Sequence, residues 1–85
     1  MAENYWYSNL KKEVEEKIRN IPDFPKEGIQ FKDITPVIKD ANLFEKLMSY
    51  YASTLSKNGI NKIVGVDARG FIFGSVLANK MGIPF

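Results

Sequence analysis

The residues best placed to do chemistry are Asp67, Ala68, Arg69 and Gly70, a short polar turn between two apolar stretches. Before it, Ile63-Val64-Gly65-Val66 is a β-branched run of the kind that forms a strand buried on both faces. After it, residues 71–81 carry apolar side chains at helical spacing and end at Gly82. Strand, turn and helix make the first half of a βαβ unit, and open α/β sheets bind ligands at the carboxyl ends of their strands. A helix start there offers unpaired backbone N–H groups to an anion, and Arg69 adds a fixed positive charge. The turn is therefore a candidate site for phosphate or pyrophosphate. A surface arginine beside an ordinary turn glycine is the alternative, because the turn is neither a Walker loop nor a dinucleotide-binding loop. Spacing alone leaves both open.

Phe31 is the second candidate. Ile29-Gln30-Phe31-Lys32-Asp33-Ile34 alternates apolar and polar, a short strand or extended loop with Ile29, Phe31 and then Asp33 on one side. Alternation by itself favours Phe31 as core. A ring in a segment rich in proline and glycine could instead stack on a planar ligand.

Composition narrows the chemistry further. The 85 residues hold no cysteine and no histidine, which excludes disulfides, thiol nucleophiles, Ser-His or Cys-His mechanisms and the usual zinc sets. Any metal would be a hard cation held by carboxylates, water or substrate phosphates. Twelve basic residues against ten acidic ones, interleaved along the chain, argue against a nucleic-acid stripe. An apolar share of 45% fits a folded domain, though this length is marginal for an α/β fold. Nothing resembles a signal peptide or a membrane span, so a cytoplasmic protein is expected.

The elements that position these residues follow from pattern. Tyr5, Trp6 and Tyr7 suggest an amino-terminal arm that packs its rings on the body or on a partner subunit. Ser8 or Asn9 can cap a helix through about Asn20, with Leu10, Val14 and Ile18 on one stripe and a solvated Lys/Glu face. Two prolines and Gly28 exclude helix from Ile21 to Gly28. Thr35-Pro36 and Lys39-Asp40 lead to a helix capped by Asp40 or Asn42, with Leu43, Phe44, Leu47, Met48, Tyr51 and Leu55 on its apolar face. Asn58-Gly59 ends it. Ile60 to Val66 is the first clear central strand, and Gly65 within it suggests close approach of another backbone or a ligand. The next helix carries Phe71, Val76, Leu77 and Met81 on its apolar sides. Gly70 and Gly74 let it pack closely on the sheet, and Ile83-Pro84-Phe85 begins a further strand.

Three stretches together resemble one family, the adenine phosphoribosyltransferases: Ile18 to Pro36, Ile63 to Gly74, and Leu77 to Phe85, in the family's order and spacing from about Lys11. Glu27 stands where the family often has proline. The resemblance implies an α/β fold, the amino-terminal part of a type I phosphoribosyltransferase, with a parallel sheet flanked by helices and incomplete in this chain. Residues 1–20 would be arm and helix, 21–39 the base hood, and 40–85 the helix, strand, pyrophosphate loop, helix and start of the next strand of a single domain. The implied reaction transfers a phosphoribosyl group from phosphoribosyl pyrophosphate, with Mg2+, to adenine, giving AMP and pyrophosphate in purine salvage. Phe31 would stack on adenine, backbone near Gln30 would read its edge, and Lys32 would line the site. Asp67, Ala68, Arg69 and Gly70 would form the pyrophosphate loop, with the Asp67–Ala68 peptide often cis in such proteins. Arg69 would contact phosphate or the partner of a homodimer.

The family's acidic phosphoribosyl-binding segment, with its Thr-Gly-Gly loop, and its catalytic loop lie downstream and are not among these residues. No catalytic or metal-ligating residue is therefore expected in this segment, and the chain alone is expected to be inactive and poorly stable. A non-catalytic binding module of the same descent is the alternative. A related transferase for another purine is a third reading, which Phe31 argues against.

Overall fold

In the computed structural model, residues 2–85 are described, with side chains from Tyr7 onward; Met1 and the side chains of Tyr5 and Trp6, two of the three rings of the expected arm, lie outside them, and the third, Tyr7, is exposed on a helix. The elements run α1 (Ala2–Lys17), β1 (Arg19–Pro22), β2 (Gln30–Asp33), α2 (Thr35–Lys39), α3 (Ala41–Ser56) and α4 (Arg69–Met81). The chain divides into two compact units, the first ending at Phe44 and the second running Glu45–Phe85, so the boundary falls within α3.

In the first unit, α1 begins well before the expected caps Ser8 and Asn9 and stops before Asn20. Ser and Asn are weak helix formers rather than breakers, and the helix-favouring Lys and Glu residues around them carry the helix through. It ends where Arg19 is drawn into a β ladder. The solvated face carries an i,i+4 pair, Lys11 to Glu15 at 3.8 Å. β1 and β2 pair antiparallel, with Arg19 opposite Asp33, Asn20 opposite Lys32, Ile21 opposite Phe31 and Pro22 opposite Gln30.

Asp33 fastens this hairpin. It is 8% exposed. Its Oδ2 accepts from Arg19 Nε at 3.1 Å and from Arg19 Nη2, while its Oδ1 accepts the Thr35 N–H at 3.0 Å and the Thr35 hydroxyl at 2.8 Å. Thr35 opens α2, a five-residue helix that was expected only as a lead-in, although Thr-Pro at a helix start is a recognised cue. Asp40 is the cap of α3, as expected: its Oδ1 accepts the Leu43 N–H at 3.1 Å, and Lys17 lies 3.4 Å from its other oxygen. Leu10, Val37 and Leu43 are the buried apolar side chains of this unit.

In the second unit the expected central strand does not form. Residues 60–66 enter no ladder, and Val64 and Val66 are 83% and 80% exposed rather than buried on both faces. The parallel sheet is likewise not present among the described residues, whose one sheet is the β1–β2 pair. A β-branched run becomes a strand only when neighbouring backbone completes its hydrogen bonds. Here the Ile63 N–H reaches the Pro84 carbonyl at 3.0 Å, the beginning of such a pairing. The residues expected to start the next strand thus supply an acceptor without being a strand.

Close backbone approach holds this unit together. A Cβ on Gly65 would lie 2.5 Å from the Gly70 carbonyl oxygen, and one on Gly74 would lie 2.6 Å from the Phe85 ring. α4 begins two residues earlier than expected, at Arg69, and ends at Gly82 with φ +67°. The Gly82 N–H returns to Asn79 O at 3.2 Å and the Ile83 N–H to Ala78 O at 3.0 Å, closing the helix end. Lys80 pairs with Glu45 across α4 and α3. Met48 and Ala78 are buried, whereas Phe71, expected on the apolar side, is 49% exposed and meets Phe85 edge-on.

Two predictions follow from this packing. Gly65→Ala forces a methyl group against main chain and should destabilise the chain by about 1–3 kcal/mol; an unchanged urea midpoint would contradict it. The Asp33 carboxyl is held below its ordinary pKa by the Thr35 backbone N–H first, then the Thr35 hydroxyl and Arg19. An unfolded aspartate titrates near ~3.9, so this stabilisation is complete above that pH and is lost as pH falls through the lower folded value. Asp33→Asn should therefore make the acid side of the stability profile shallower, read by circular dichroism melts at stepped pH.

Candidate functional site

The two groups of candidate residues lie in different units. Gln30, Phe31 and Lys32 occupy β2 of the first, and Asp67 to Gly70 occupy the turn into α4 of the second.

Strand alternation separates the hairpin residues. Phe31 shares a face with Asp33 and with its cross-strand partner Ile21, while Gln30 and Lys32 point the other way with Asn20 and Pro22. Phe31 is half-buried, and its ring meets Phe24 edge-on, 5.2 Å between centroids at 69°. The loop that carries Phe24 is tied internally. Asp23, at φ +56°, accepts the Gly28 N–H at 2.9 Å on its side chain, and the Phe24 N–H donates to Ile29 O at 3.0 Å. Left-handed geometry is one that aspartate tolerates and that its side-chain hydrogen bond stabilises. The Phe24–Pro25 peptide in this loop is cis.

Gln30 offers a main-chain acceptor. In an antiparallel ladder its carbonyl could receive a bond only from the residue opposite, which is Pro22, and proline has no N–H. The Gln30 carbonyl therefore stands outside the ladder, next in sequence to the Phe31 ring. The Gln30 side chain is engaged elsewhere, accepting from Asn20 Nδ2 at 2.7 Å. Lys32 is exposed and lines a shallow depression with Glu15 and Ile18, on the face away from Phe31.

The turn into α4 has the features of an anion site. The Asp67–Ala68 peptide is cis, as the resemblance implied. Ala68 is the residue before α4 and supplies no side-chain cap. The Gly70 N–H is used by Val66 O at 2.9 Å and the Phe71 N–H by Ala68 O at 3.1 Å. Among the described residues, the Ala68 and Arg69 N–H groups have no backbone partner, and Arg69 is exposed with no ion pair. A positive side chain beside uncapped donors at a helix start attracts anions. Gly70 contributes by its lack of a side chain, since it permits the contact with Gly65.

Sequence reasoning passed over Arg19 and Asn20 on β1 and Thr35 at the start of α2, whose side chains bond to the residues of β2. Alternation placed Asp33 on the Phe31 side and was the available cue. Among the described residues, no group of three potential metal-ligating side chains comes together.

No family model matches the chain. It is 47% identical over 68 residues to the adenine phosphoribosyltransferase of Herpetosiphon aurantiacus, covering 80% of this chain and 40% of that protein. The crystal structure of the enzyme of that name from Thermoanaerobacter pseudethanolicus superposes with a TM-score of 0.83 at 47% identity, over 88% of this chain and 45% of that one. The Saccharomyces cerevisiae enzyme, solved with an imino-altritol bisphosphate and adenine, superposes at 0.85 with 34% identity, over 92% and 47%. The chain thus spans about 40% of the length of the curated relatives it matches. In sequence and in fold, these residues match part of an adenine phosphoribosyltransferase, as an amino-terminal portion of that family would.

Proposed function

We propose that this chain is the base- and pyrophosphate-binding portion of an adenine phosphoribosyltransferase, which transfers the phosphoribosyl group of phosphoribosyl pyrophosphate to adenine and forms AMP and pyrophosphate in purine salvage. The observation that carries this reading is the similarity itself. An alignment of 73 residues at 48% identity is too long to fit within either unit and so includes residues of both.

The local chemistry agrees with it. Adenine is flat, and Phe31 supplies a ring for stacking. Adenine's 6-amino group is a donor, and the Gln30 carbonyl is an acceptor left outside the ladder. Hypoxanthine and guanine carry an oxygen at that position, which would set one acceptor against another. Ribosyl transfer passes through an oxocarbenium-like state while charge gathers on the departing pyrophosphate. The Ala68 and Arg69 amides and the Arg69 guanidinium are placed to stabilise that charge. Magnesium carried on the phosphoribosyl pyrophosphate would neutralise part of it. A cation that keeps water and substrate oxygens as ligands needs few protein carboxylates, and Asp67 stands exposed at the loop. The reading includes a homodimer and a cytoplasmic setting, and it has the 85 residues binding ligands without turning over by themselves. No described helix is long and apolar enough to cross a membrane.

Calorimetry on the purified chain tests this directly. Adenine should bind, and Phe31→Ala should weaken it by roughly tenfold or more, as base–aromatic stacking is worth ~1–3 kcal/mol. Hypoxanthine should bind at least about tenfold more weakly, because an unpaired acceptor costs ~1–3 kcal/mol. Arg69→Ala should weaken pyrophosphate and leave adenine unchanged. Equal affinity for the two purines would overturn the base assignment.

A further inference from the structure

We propose that Asp33 is the positioning residue of the base-binding hairpin, holding β2 in register through Arg19 and Thr35 and so setting where Phe31 and the Gln30 carbonyl stand. The inference rests on reading this hairpin as the base site.

A four-residue ladder specifies its own register poorly. On the inward face the pairs are Ile21 with Phe31 and Arg19 with Asp33, so one apolar pair carries the whole hydrophobic pattern. Slipping β2 by one residue would turn Phe31 to the opposite face, and slipping by two would carry the Gln30 carbonyl about 7 Å along the strand. The loop end tolerates such shifts poorly, because Asp23 and Gly28 are bonded to each other. The open end is tied by Asp33, with the more exposed Lys17–Asp40 pair beyond it.

Its contacts suit that task. The carboxylate receives donors from two directions: Arg19 on β1 at one oxygen, and both Thr35 donors, at the start of α2, on the other. β2 is thereby fixed to the strand beside it and to the helix after it. An apolar residue at position 33 could fill the space but could not choose among registers. Fixing register is the best-attested use of a buried charged group, whose desolvation otherwise opposes folding. Asp33 also lies two residues from Phe31 on the same face, so its placement passes directly to the ring.

Amide hydrogen exchange by NMR on the 85-residue chain, paired with adenine calorimetry, tests the proposal. In Asp33→Asn, amides of β1 and β2 should exchange at least about tenfold faster, the effect of one lost charge-assisted hydrogen bond, while α4 amides are unchanged. Adenine affinity should fall by a similar factor, and Arg19→Lys, which keeps charge but loses the guanidinium fork, should fall between. Unchanged hairpin exchange overturns the proposal, as does faster exchange with unaltered adenine affinity. If the unmodified chain binds no adenine, the base-site reading fails, and the exchange pattern still decides whether Asp33 sets the register. Should Asp33→Asn unfold the chain, shown by α4 exchanging as fast as the hairpin, Thr35→Val removes a single donor and supports the same comparison.

Discussion

The carboxylate of Asp33 is where β1, β2 and α2 are joined, and the first unit depends on it. A charge at 8% exposure is unfavourable unless its lone pairs are filled, and here they are filled by donors from Arg19 and Thr35. The same donors keep it ionised, so the interaction that fastens the hairpin also maintains the charge on which it depends. Asp40 repeats the pattern one helix later, taking the Leu43 N–H at the start of α3 and lying beside Lys17. Two short-side-chain acids thus set the course of the chain from the hairpin into α2 and then α3.

The second unit rests on a steric constraint instead. Gly65 and Gly70 let the segment before the turn and the first turn of α4 approach more closely than any side chain would allow. That approach consumes the Gly70 N–H in a bond to Val66 and leaves the two preceding amides at the uncapped helix start. The two glycines act by enabling a backbone contact, and Arg69 carries the positive charge beside those amides.

Part of the candidate site is legible before any fold. Arg69 and the turn around it follow from a strand–turn–helix pattern, which depends on a few neighbouring residues, whereas alternation alone favours Phe31 as core, and Gln30 and Lys32 enter only through the family resemblance. The Asp40 cap, the αL Gly82 and the close approach at Gly65 were readable for the same reason. The central strand was not. Its β-branched residues have the propensity, but Val64 and Val66 remain exposed because no neighbouring strand supplies the bonds that would make the run a strand. The start of α1 was also misplaced, since Ser8 and Asn9 express a preference that stronger neighbours override.

By itself, then, the sequence determined the chemical inventory and the local shapes. It has no histidine or cysteine, an aromatic within a short strand, and an arginine at a helix start. Tertiary structure decided which groups share a face and which hydrogen bonds are left over. Only the pairing of Pro22 with Gln30 reveals a carbonyl without a ladder donor, and only the meeting of Arg19, Asp33 and Thr35 explains a buried acid. The Pro22–Gln30 pairing and the Arg19–Asp33 contact join residues on separate strands and follow from strand register, which is set by pairing rather than by the composition of either strand.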